Sequence, residues 1–276
     1  MMGEVDWAGL LPLAAAMLGT GVVAGLIAGL LGVGGGIVIV PVLFHILTGM
    51  GVDEAIRMHM AVGTSLATII ATSISSARAH FRRGSVDVDL LKSWGVAVLV
   101  GVLIGSGISL VVNGQVLTAI FAIVALIVCA NMAFRPDGWT VRDSLPTGAA
   151  KHAIGIGVGG FSTLMGIGGG TLSVPILTAC NYPIRRAVGT ASAVGLIIAV
   201  PGTVGFILNG WGQANLPPFS LGYVSLIGFA LIVPATVLAA PLGVKLAHTM
   251  PTGLLRKAFA LFLFVTALRM IYELIG

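Results

Sequence analysis

Residues 30–41 read LLGVGGGIVIVP, and residues 164–175 read LMGIGGGTLSVP. Each copy interrupts an apolar stretch with a glycine cluster, although glycine is among the poorest residues for the interior of a helix. In a strongly apolar chain, a matched pair of broken segments is the best pointer in a sequence to the binding site of a transporter. We therefore interpret the chain as one unit that occurs twice, with this motif in each copy.

The composition excludes a water-soluble globular protein. Of the 276 residues, 57% are hydrophobic and 8% are charged, against about 25% charged residues in soluble domains, and the mean hydropathy is +1.10. The net charge of +5 does not indicate nucleic-acid binding, because the basic residues lie in short connections between apolar runs and form no basic face. That distribution is typical of a protein embedded in the lipid bilayer, whose cytoplasmic loops carry Lys and Arg.

Five apolar segments occur in each half of the chain. They cover residues 10–31, 37–48, 58–79, 91–112 and 116–134 in the first half, and 153–165, 171–179, 188–208, 221–246 and 254–275 in the second. This predicts an all-α polytopic membrane protein. Its predicted parts are a first transmembrane repeat at 1–134, a cytoplasmic connecting loop at 135–152 and a second transmembrane repeat at 153–276.

An odd number of segments per repeat makes the second repeat enter the membrane from the opposite side. The two repeats are therefore expected to be inverted relative to each other. Segments 153–165 and 171–179 are shorter than the 20 or so residues that a spanning helix needs, which predicts re-entrant or broken helices at the glycine-rich motifs. Segment 10–31 is long enough to span, so the first hairpin either crosses fully or re-enters.

The basic residues fall on alternate connections. Arg83 follows the third segment and Arg186 precedes the eighth, whereas connections 113–115 and 209–220 are uncharged. Because cytoplasmic loops carry the excess of Lys and Arg, this pattern places the basic connections in the cytoplasm and both chain termini outside it. The connection that holds Arg57 is the exception.

The two triglycine stretches are the first candidates for substrate binding. An apolar segment starts directly after each, and the start of a helix carries unpaired N–H groups and a partial positive charge. Glycine lets this backbone approach a ligand, so the arrangement suits an anion without a basic side chain. The alternative is that these glycines only permit a sharp turn or tight helix packing. The candidates are Gly34, Gly35, Gly36, Gly168, Gly169 and Gly170.

A second repeated motif opens the third segment of each half. The residues AVGTS at 61–65 match AVGTA at 187–191, and a serine follows the second copy. Hydroxyl groups beside the free N–H groups of a helix start suit coordination of an oxyanion. The alternative is that these hydroxyls cap the helix or bond back to its own carbonyls. The candidates are Gly63, Thr64, Ser65, Gly189, Thr190 and Ser192.

The distribution of titratable residues favours an anionic cargo. No Asp or Glu lies deep in any segment, and Glu273 sits near the end of the last one. Transporters that carry or couple to cations usually place carboxylates along the ion path. His45 is a candidate for proton coupling, because imidazole titrates near neutral pH, although a packed histidine is the commoner case. No motif of a hydrolase, metalloprotease or nucleotide-binding enzyme occurs, so we expect no catalytic residue, no cofactor and no metal.

The doubled glycine motif, with a proline after each copy at Pro41 and Pro175, resembles the TauE/SafE family, as do the two Gly-Thr segments. The resemblance covers about residues 18–274. Members of this family are membrane proteins of bacteria and plants associated with export of sulfite and of organosulfonates such as sulfoacetate. The resemblance implies a transporter for small sulfur oxyanions or sulfonates in the bacterial inner membrane.

These observations together predict a secondary transporter that exports a small sulfur-containing anion by alternating access. A passive anion channel stays open as an alternative, as does a membrane sensor or complex subunit that transports nothing itself. The glycine-rich faces at Gly101/Gly105 and Gly155/Gly159 suit close helix packing. They fit packing within one chain or between the two chains of a homodimer.

Overall fold

The protein is almost entirely helical. The computed structural model describes residues 7–134, 140–246 and 252–275, so residues 135–139 of the predicted connecting loop lie outside it. The helices are α1 (Trp7–Leu31), α2 (Gly36–Gly49), α3 (Glu54–Phe81), α4 (Val88–Ile108), α5 (Gly114–Phe134), α6 (Gly148–Met165), α7 (Gly170–Ala179), α8 (Ile184–Asn209), α9 (Leu226–Leu246) and α10 (Thr252–Ile275). A small antiparallel hairpin of β1 (Ser220–Leu221) and β2 (Val224–Ser225) precedes α9.

The lengths of these helices confirm the predicted all-α polytopic membrane fold. Within the described residues, six helices are long and apolar enough to cross a membrane, namely α1, α3, α4, α5, α8 and α9. Helices α2 and α7 are apolar but have only 14 and 10 residues, against the 20 or so that a crossing needs. Both short helices begin directly after a glycine-rich motif, so the chain leaves helical form at these motifs.

Helix α6 is longer than the sequence predicts. It begins at Gly148 rather than at residue 153 and has 18 residues. The extra turn includes Lys151, whose carbonyl accepts a hydrogen bond from Trp94 Nε1 at 3.0 Å. Lys151 Nζ also donates to Ser93 Oγ at 2.6 Å. These contacts with α4 stabilise a polar helix end that hydropathy alone assigns to the preceding loop.

The two halves of the chain pack in matching pairs. Helix α1 packs along α9, and its counterpart α6 packs along α4. Helix α3 contacts α8, while α5 contacts its own counterpart, α10. The contacts of α3 with α9 and of α8 with α4 form a further pair. Each long helix of one half therefore packs against the other half.

Glycines allow the backbones of α1 and α9 to touch. A Cβ atom on Gly25 would lie 2.6 Å from Thr236 O, and one on Gly29 would lie 2.0 Å from Ala240 O. Such distances leave room for hydrogen only. Contacts advance along both helices in the same direction, so α1 and α9 run parallel.

The same device joins α4 and α6. A Cβ atom on Gly101 would lie 2.1 Å from Ile156 O, and one on Gly159 would lie 2.0 Å from Val98 O. The faces at Gly101/Gly105 and Gly155/Gly159 therefore pack against each other within one chain. A homodimer stays a prediction, and it would have to use other surfaces.

The basic connections between helices lie at one end of the molecule, and the uncharged connections lie at the other. Arg186, at the start of α8, lies 3.2 Å from Asp87, which precedes α4, so these basic connections share one end. At the other end, Asn209 Nδ2 of α8 donates to Ser106 O at 2.9 Å and to Ser109 Oγ at 2.8 Å. The uncharged connections after α4 and α8 therefore meet there.

Replacing one glycine of α6 tests this packing. Gly159→Ala should destabilise the purified protein by about 1–3 kcal/mol, because the new methyl group overlaps the backbone of α4. Gly157→Ala is the matched control, since a Cβ atom there meets nothing within 4 Å, and alanine favours helix. The measurement is the thermal unfolding midpoint in detergent. Equal midpoints for the two variants would contradict the parallel contact of α4 and α6.

Candidate substrate-binding site at the glycine crossing

The two glycine-rich motifs lie against each other at the centre of the fold. A Cβ atom on Gly34 would lie 3.0 Å from Gly168 Cα, and one on Gly36 would lie 2.3 Å from Gly166 O. Likewise, a Cβ atom on Gly170 would lie 2.0 Å from Gly32 O. The pairs run in opposite order along the chain, so residues 32–36 and 166–170 are antiparallel. We call this contact the glycine crossing.

The glycines of the crossing serve two purposes. Gly32, Gly34 and Gly35 have φ values of 67°, 72° and 80°, in the left-handed region that side chains disfavour. In the second motif only Gly166 has a positive φ value, of 65°. Residues 168–170 are therefore glycine because of the close approach of another backbone, rather than because of their own conformation.

The remaining triglycine residues are also enclosed. A Cβ atom on Gly35 would lie 2.8 Å from Ala24 O of α1. One on Gly169 would lie 2.8 Å from Val194 Cγ1 and 3.0 Å from Gly195 N of α8. The structure thus brings the six predicted triglycine residues together, at a contact between backbones.

Of the predicted hydroxyl groups, Ser65 and Ser192 reach the crossing. Ser65 Oγ donates to Gly166 O at 2.7 Å. Ser192 Oγ lies 3.1 Å from the Cβ position of Gly32, and it donates to Val188 O of its own helix at 3.0 Å. Each glycine stretch therefore has a serine from the third helix of a repeat beside it.

Thr64 and Thr190 join the two halves at other points. Thr64 Oγ1 accepts a hydrogen bond from the N–H of Ser225 at 2.8 Å. Thr190 Oγ1 accepts one from the N–H of Asp87 at 2.9 Å. Ser225 and Asp87 each precede a helix of the opposite half, so the threonines hold equivalent joints.

The preceding glycines make these joints tight. A Cβ atom on Gly63 would lie 2.7 Å from Tyr223 O, and one on Gly189 would lie 2.4 Å from Ser85 O. In each Gly-Thr motif, the glycine leaves room for a backbone carbonyl of the opposite half, and the threonine hydroxyl accepts a hydrogen bond from a backbone N–H of that half. Neither threonine is brought to the glycine crossing by these bonds.

Four buried hydroxyl groups that the sequence analysis did not select lie on helices next to the crossing, namely that of Ser162 near the end of α6 and three others. Ser73, Thr171 and Ser173 are at most 2% exposed, and their hydroxyl oxygens have no hydrogen-bond partner among the described residues. Leaving a buried polar group unpaired costs about 1–3 kcal/mol, so these groups are suited to a bound water or ligand. Ser73 Oγ lies 2.7 Å from the Cβ position of Gly195, which is 3.6 Å from Gly169 N.

A sequence signal for two of these residues did exist. Thr171 and Ser173 occupy the positions where the first motif has Ile37 and Ile39. The start of α7 is therefore polar while the start of α2 is apolar. The two copies differ at the place where a helix start suits an anion.

A cavity of about 280 Å³ opens at the end of the molecule where α3 begins. Its polar lining includes His59, Asn209, Gln213 and Tyr223. His59 Nε2 lies 3.2 Å from Val112 O, and its ring centroid is 5.0 Å from that of Tyr223. Burial raises the pKa of Tyr223, so its phenol stays protonated at neutral pH. The cavity reaches to within about one helical turn of Gly63.

A polar cluster lies at the opposite end of the molecule. The N–H of Leu90 donates to Asp87 Oδ1 at 2.9 Å, the hydroxyl of Tyr182 donates to Oδ2, and Arg186 Nη2 lies 3.2 Å from Oδ2. The N–H of Leu90 and the Tyr182 hydroxyl lower the pKa of Asp87. Burial, with the bond to Asp87, raises the pKa of Tyr182 to about 12. Asp87 is therefore a carboxylate and Tyr182 a neutral donor at neutral pH.

His45 lies apart from the crossing. It is nine residues beyond Gly36 on α2, or about 13 Å at the rise of an α-helix. His45 Nδ1 lies 2.6 Å from Pro41 O, and Nε2 lies 3.9 Å from Glu273 Oε1 of α10. The structure does not bring His45 together with the predicted glycine and hydroxyl residues.

Comparison with known proteins identifies the family. The model described as "Sulfite exporter TauE/SafE" matches residues 17–270. The chain belongs to the TauE/SafE family. No solved structure matches the chain.

Curated relatives of this TauE/SafE protein carry transporter names. A "Probable membrane transporter protein" of Haemophilus influenzae is 34% identical over 91% of this chain and 95% of its own length. Similar proteins of Methanocaldococcus jannaschii and Bacillus subtilis are 28% and 25% identical, over 87% and 92% of this chain and 85% and 95% of their own. With its six apolar spans, the chain is an integral membrane protein of a transporter family.

Removing the acceptor at one Gly-Thr joint should loosen the fold. Thr64→Val leaves the N–H of Ser225 without its partner, and we expect a loss of about 1–3 kcal/mol in stability. Thr64→Ser keeps the hydroxyl and should restore most of it. Thr48→Val is the control, because Thr48 Oγ1 bonds only to Phe44 O of its own helix. A Thr64→Val protein that unfolds at the temperature of the control would rule out this role.

Proposed function

We propose that this TauE/SafE protein is a secondary transporter that exports a small sulfur-containing anion across the bacterial inner membrane. The expected cargo is sulfite or an organosulfonate such as sulfoacetate. The description of the family as a sulfite exporter supports this substrate class. The observation that carries the proposal is the group of buried, unpartnered hydroxyls on α3 and α7, of which Thr171 and Ser173 belong to the start of α7.

In this proposal the anion binds at the start of α7. The N–H groups of Gly169, Gly170 and Thr171 belong to the first turn, where a helix has unpaired donors and a positive dipole end. Thr171 and Ser73 add hydroxyl donors to this turn. A sulfite or sulfonate group has several acceptor oxygens, so it can bind all of these donors without a buried arginine.

The other predicted residues have supporting roles. Ser65 and Ser192 position the two glycine stretches, and Gly34, Gly35 and Gly36 form the opposite wall. Thr64 and Thr190 act at the joints between halves. Thr64 and Thr190 can bind the anion only if their hydroxyls give up the hydrogen bonds to Ser225 and Asp87 as the halves move.

The close contact at the crossing supports a mechanism of alternating access. Gly170 and Gly32 approach so closely that an anion passes only when the halves shift. The matched packing of α1 with α9 and of α6 with α4 supports two inverted repeats, at 1–134 and 153–276, that rock against each other. The cavity at one end supports access to the site from that side. A permanently open anion channel does not explain the close contact of Gly170 with Gly32.

The orientation rests on the basic connections, which share one end with Asp87 and Arg186. Cytoplasmic loops carry the excess of Lys and Arg, so we place that end in the cytoplasm. The cavity beside His59 then opens outside the cell, on the side of the chain termini.

Substitutions at the start of α7 test the anion site. Thr171→Val and Ser73→Ala should each weaken sulfite binding by about 1.5–3 kcal/mol, since each removes a hydrogen bond to a charged group. The measurement is the concentration dependence of thermal stabilisation by sulfite, followed by sulfite flux in proteoliposomes. Thr118→Val is the control, because Thr118 is equally buried but bonds to Gly114 O of its own helix. Wild-type affinity in both test variants would remove the site from α7.

Cysteine labelling tests the orientation. Ala214→Cys lies in the exposed connection after α8, and Arg83→Cys lies in the exposed connection after α3. An impermeant maleimide should label position 214 in intact cells and position 83 only after permeabilisation. The native Cys129 and Cys180 are buried and give little background. The reverse labelling pattern would invert the proposed orientation.

A further inference from the structure

We propose that His45 and Glu273 together form the binding site for a coupling proton, an inference that rests on the proposed transport function. His45 Nε2 lies 3.9 Å from Glu273 Oε1. Neither His45 Nε2 nor Glu273 Oε2 has a hydrogen-bond partner among the described residues, and both atoms are shielded from solvent. A basic nitrogen and a carboxylate thus face each other, and each has an atom that can still form a hydrogen bond.

The bond at the other side of the ring fixes the tautomer of His45. A carbonyl oxygen only accepts hydrogen bonds, so Nδ1 must carry the hydrogen in its 2.6 Å contact with Pro41 O. In the neutral ring, Nε2 then presents a lone pair to the carboxylate of Glu273. Two acceptors oppose each other until one proton binds, either on Nε2 or on the carboxyl group. The pair is therefore built to hold one proton.

The charged side chains around His45 and Glu273 have other partners or are exposed. Arg57 of α3 donates to Val52 O at 3.2 Å and 3.1 Å and lies over the ring of Phe44, next to His45 in sequence. Arg269 and Tyr272 of α10 precede Glu273 by four residues and one residue, and both are exposed. In the described residues of α1 and α5, no charged side chain occurs. Protonation of the pair thus changes the net charge between α2 and α10.

The place of the pair in the fold explains how a proton affects transport. Helix α2 begins at the glycine crossing and carries His45 in its second half, whereas Glu273 lies in the last turn of α10. A protonated imidazole attracts the carboxylate and holds α2 against α10, and its deprotonation releases this hold. Because α2 is one continuous helix from Gly36 to Gly49, we expect its movement also to displace Gly36 against Gly166. The proton is taken up from one side and released to the other as the crossing shifts.

Purified protein in liposomes with a trapped pH indicator tests this coupling. Wild-type protein should move protons when a sulfite gradient is applied, and Glu273→Gln and His45→Gln should each reduce the protons moved per sulfite at least tenfold. Sulfite exchange between equal concentrations needs no net proton movement, so it should continue in both variants. Glu54→Gln is the matched control, because Glu54 is exposed and its side chain accepts a hydrogen bond from Gln115. Unchanged proton movement in Glu273→Gln would overturn the proposal.

A second measurement separates this inference from the substrate assignment. Infrared difference spectra of the purified protein between two pH values report protonation of a carboxyl group without any substrate. A carboxylic-acid C=O band that disappears in Glu273→Gln and shifts in His45→Gln supports the pair even if sulfite is not carried. If wild-type protein exchanges sulfite but the band is unaffected by either substitution, the pair is a structural contact only and the proposal fails.

Discussion

Backbone that leaves helical form inside an apolar fold must find polar partners, and in this protein two such stretches are held at one place. Unpaired peptide groups are costly away from water, so irregular backbone at membrane depth is tolerated only where protein or a water-filled cavity surrounds it. Residues 32–36 and 166–170 are buried against each other and so are surrounded by protein, although in this described part of the chain no backbone hydrogen bond joins the two stretches. Ser65, which donates to Gly166 O, adds a side chain to the arrangement. The short helices α2 and α7 begin at this contact. The matched packing of the halves surrounds it, and the proposed site lies beside it.

The same constraint gives glycine several distinct roles. At Gly32, Gly34 and Gly35 it permits left-handed backbone, whereas at Gly170 it permits another backbone to approach. Along α1 and α6 it lets parallel helices touch. At Gly63 and Gly189 it admits a carbonyl group beside a threonine that binds an N–H. Function, in our account, uses the few places where this packing leaves polar atoms unpaired, at the start of α7 and between α2 and α10.

The sequence predicted the helices well because hydropathy and glycine placement are local signals. The ends of α7 and α10 lie within two residues of the predicted segments, and both helix breaks occur at the predicted motifs. The hairpin at residues 220–225 was not predicted, since two-residue strands leave almost no periodic pattern. The early start of α6 depends on contacts of Lys151 with α4, which hydropathy does not register.

The candidate site was only partly predictable. The repetition of the motif drew attention to both triglycine stretches, but their direct contact is a long-range feature that no local pattern encodes. The bonds of Thr64 to Ser225 and of Thr190 to Asp87 join residues more than a hundred positions apart. Conversely, Thr171 and Ser173 stand out only when the two motifs are compared position by position and the burial of each hydroxyl is known.

A cryo-electron microscopy map of the purified protein at saturating sulfite would show directly where the anion binds. We predict density for the anion at the start of α7, in contact with Thr171 and Ser73 and beside the crossing of the two glycine stretches. An anion bound elsewhere, with the glycine stretches still in contact and those hydroxyls unoccupied, would contradict the account.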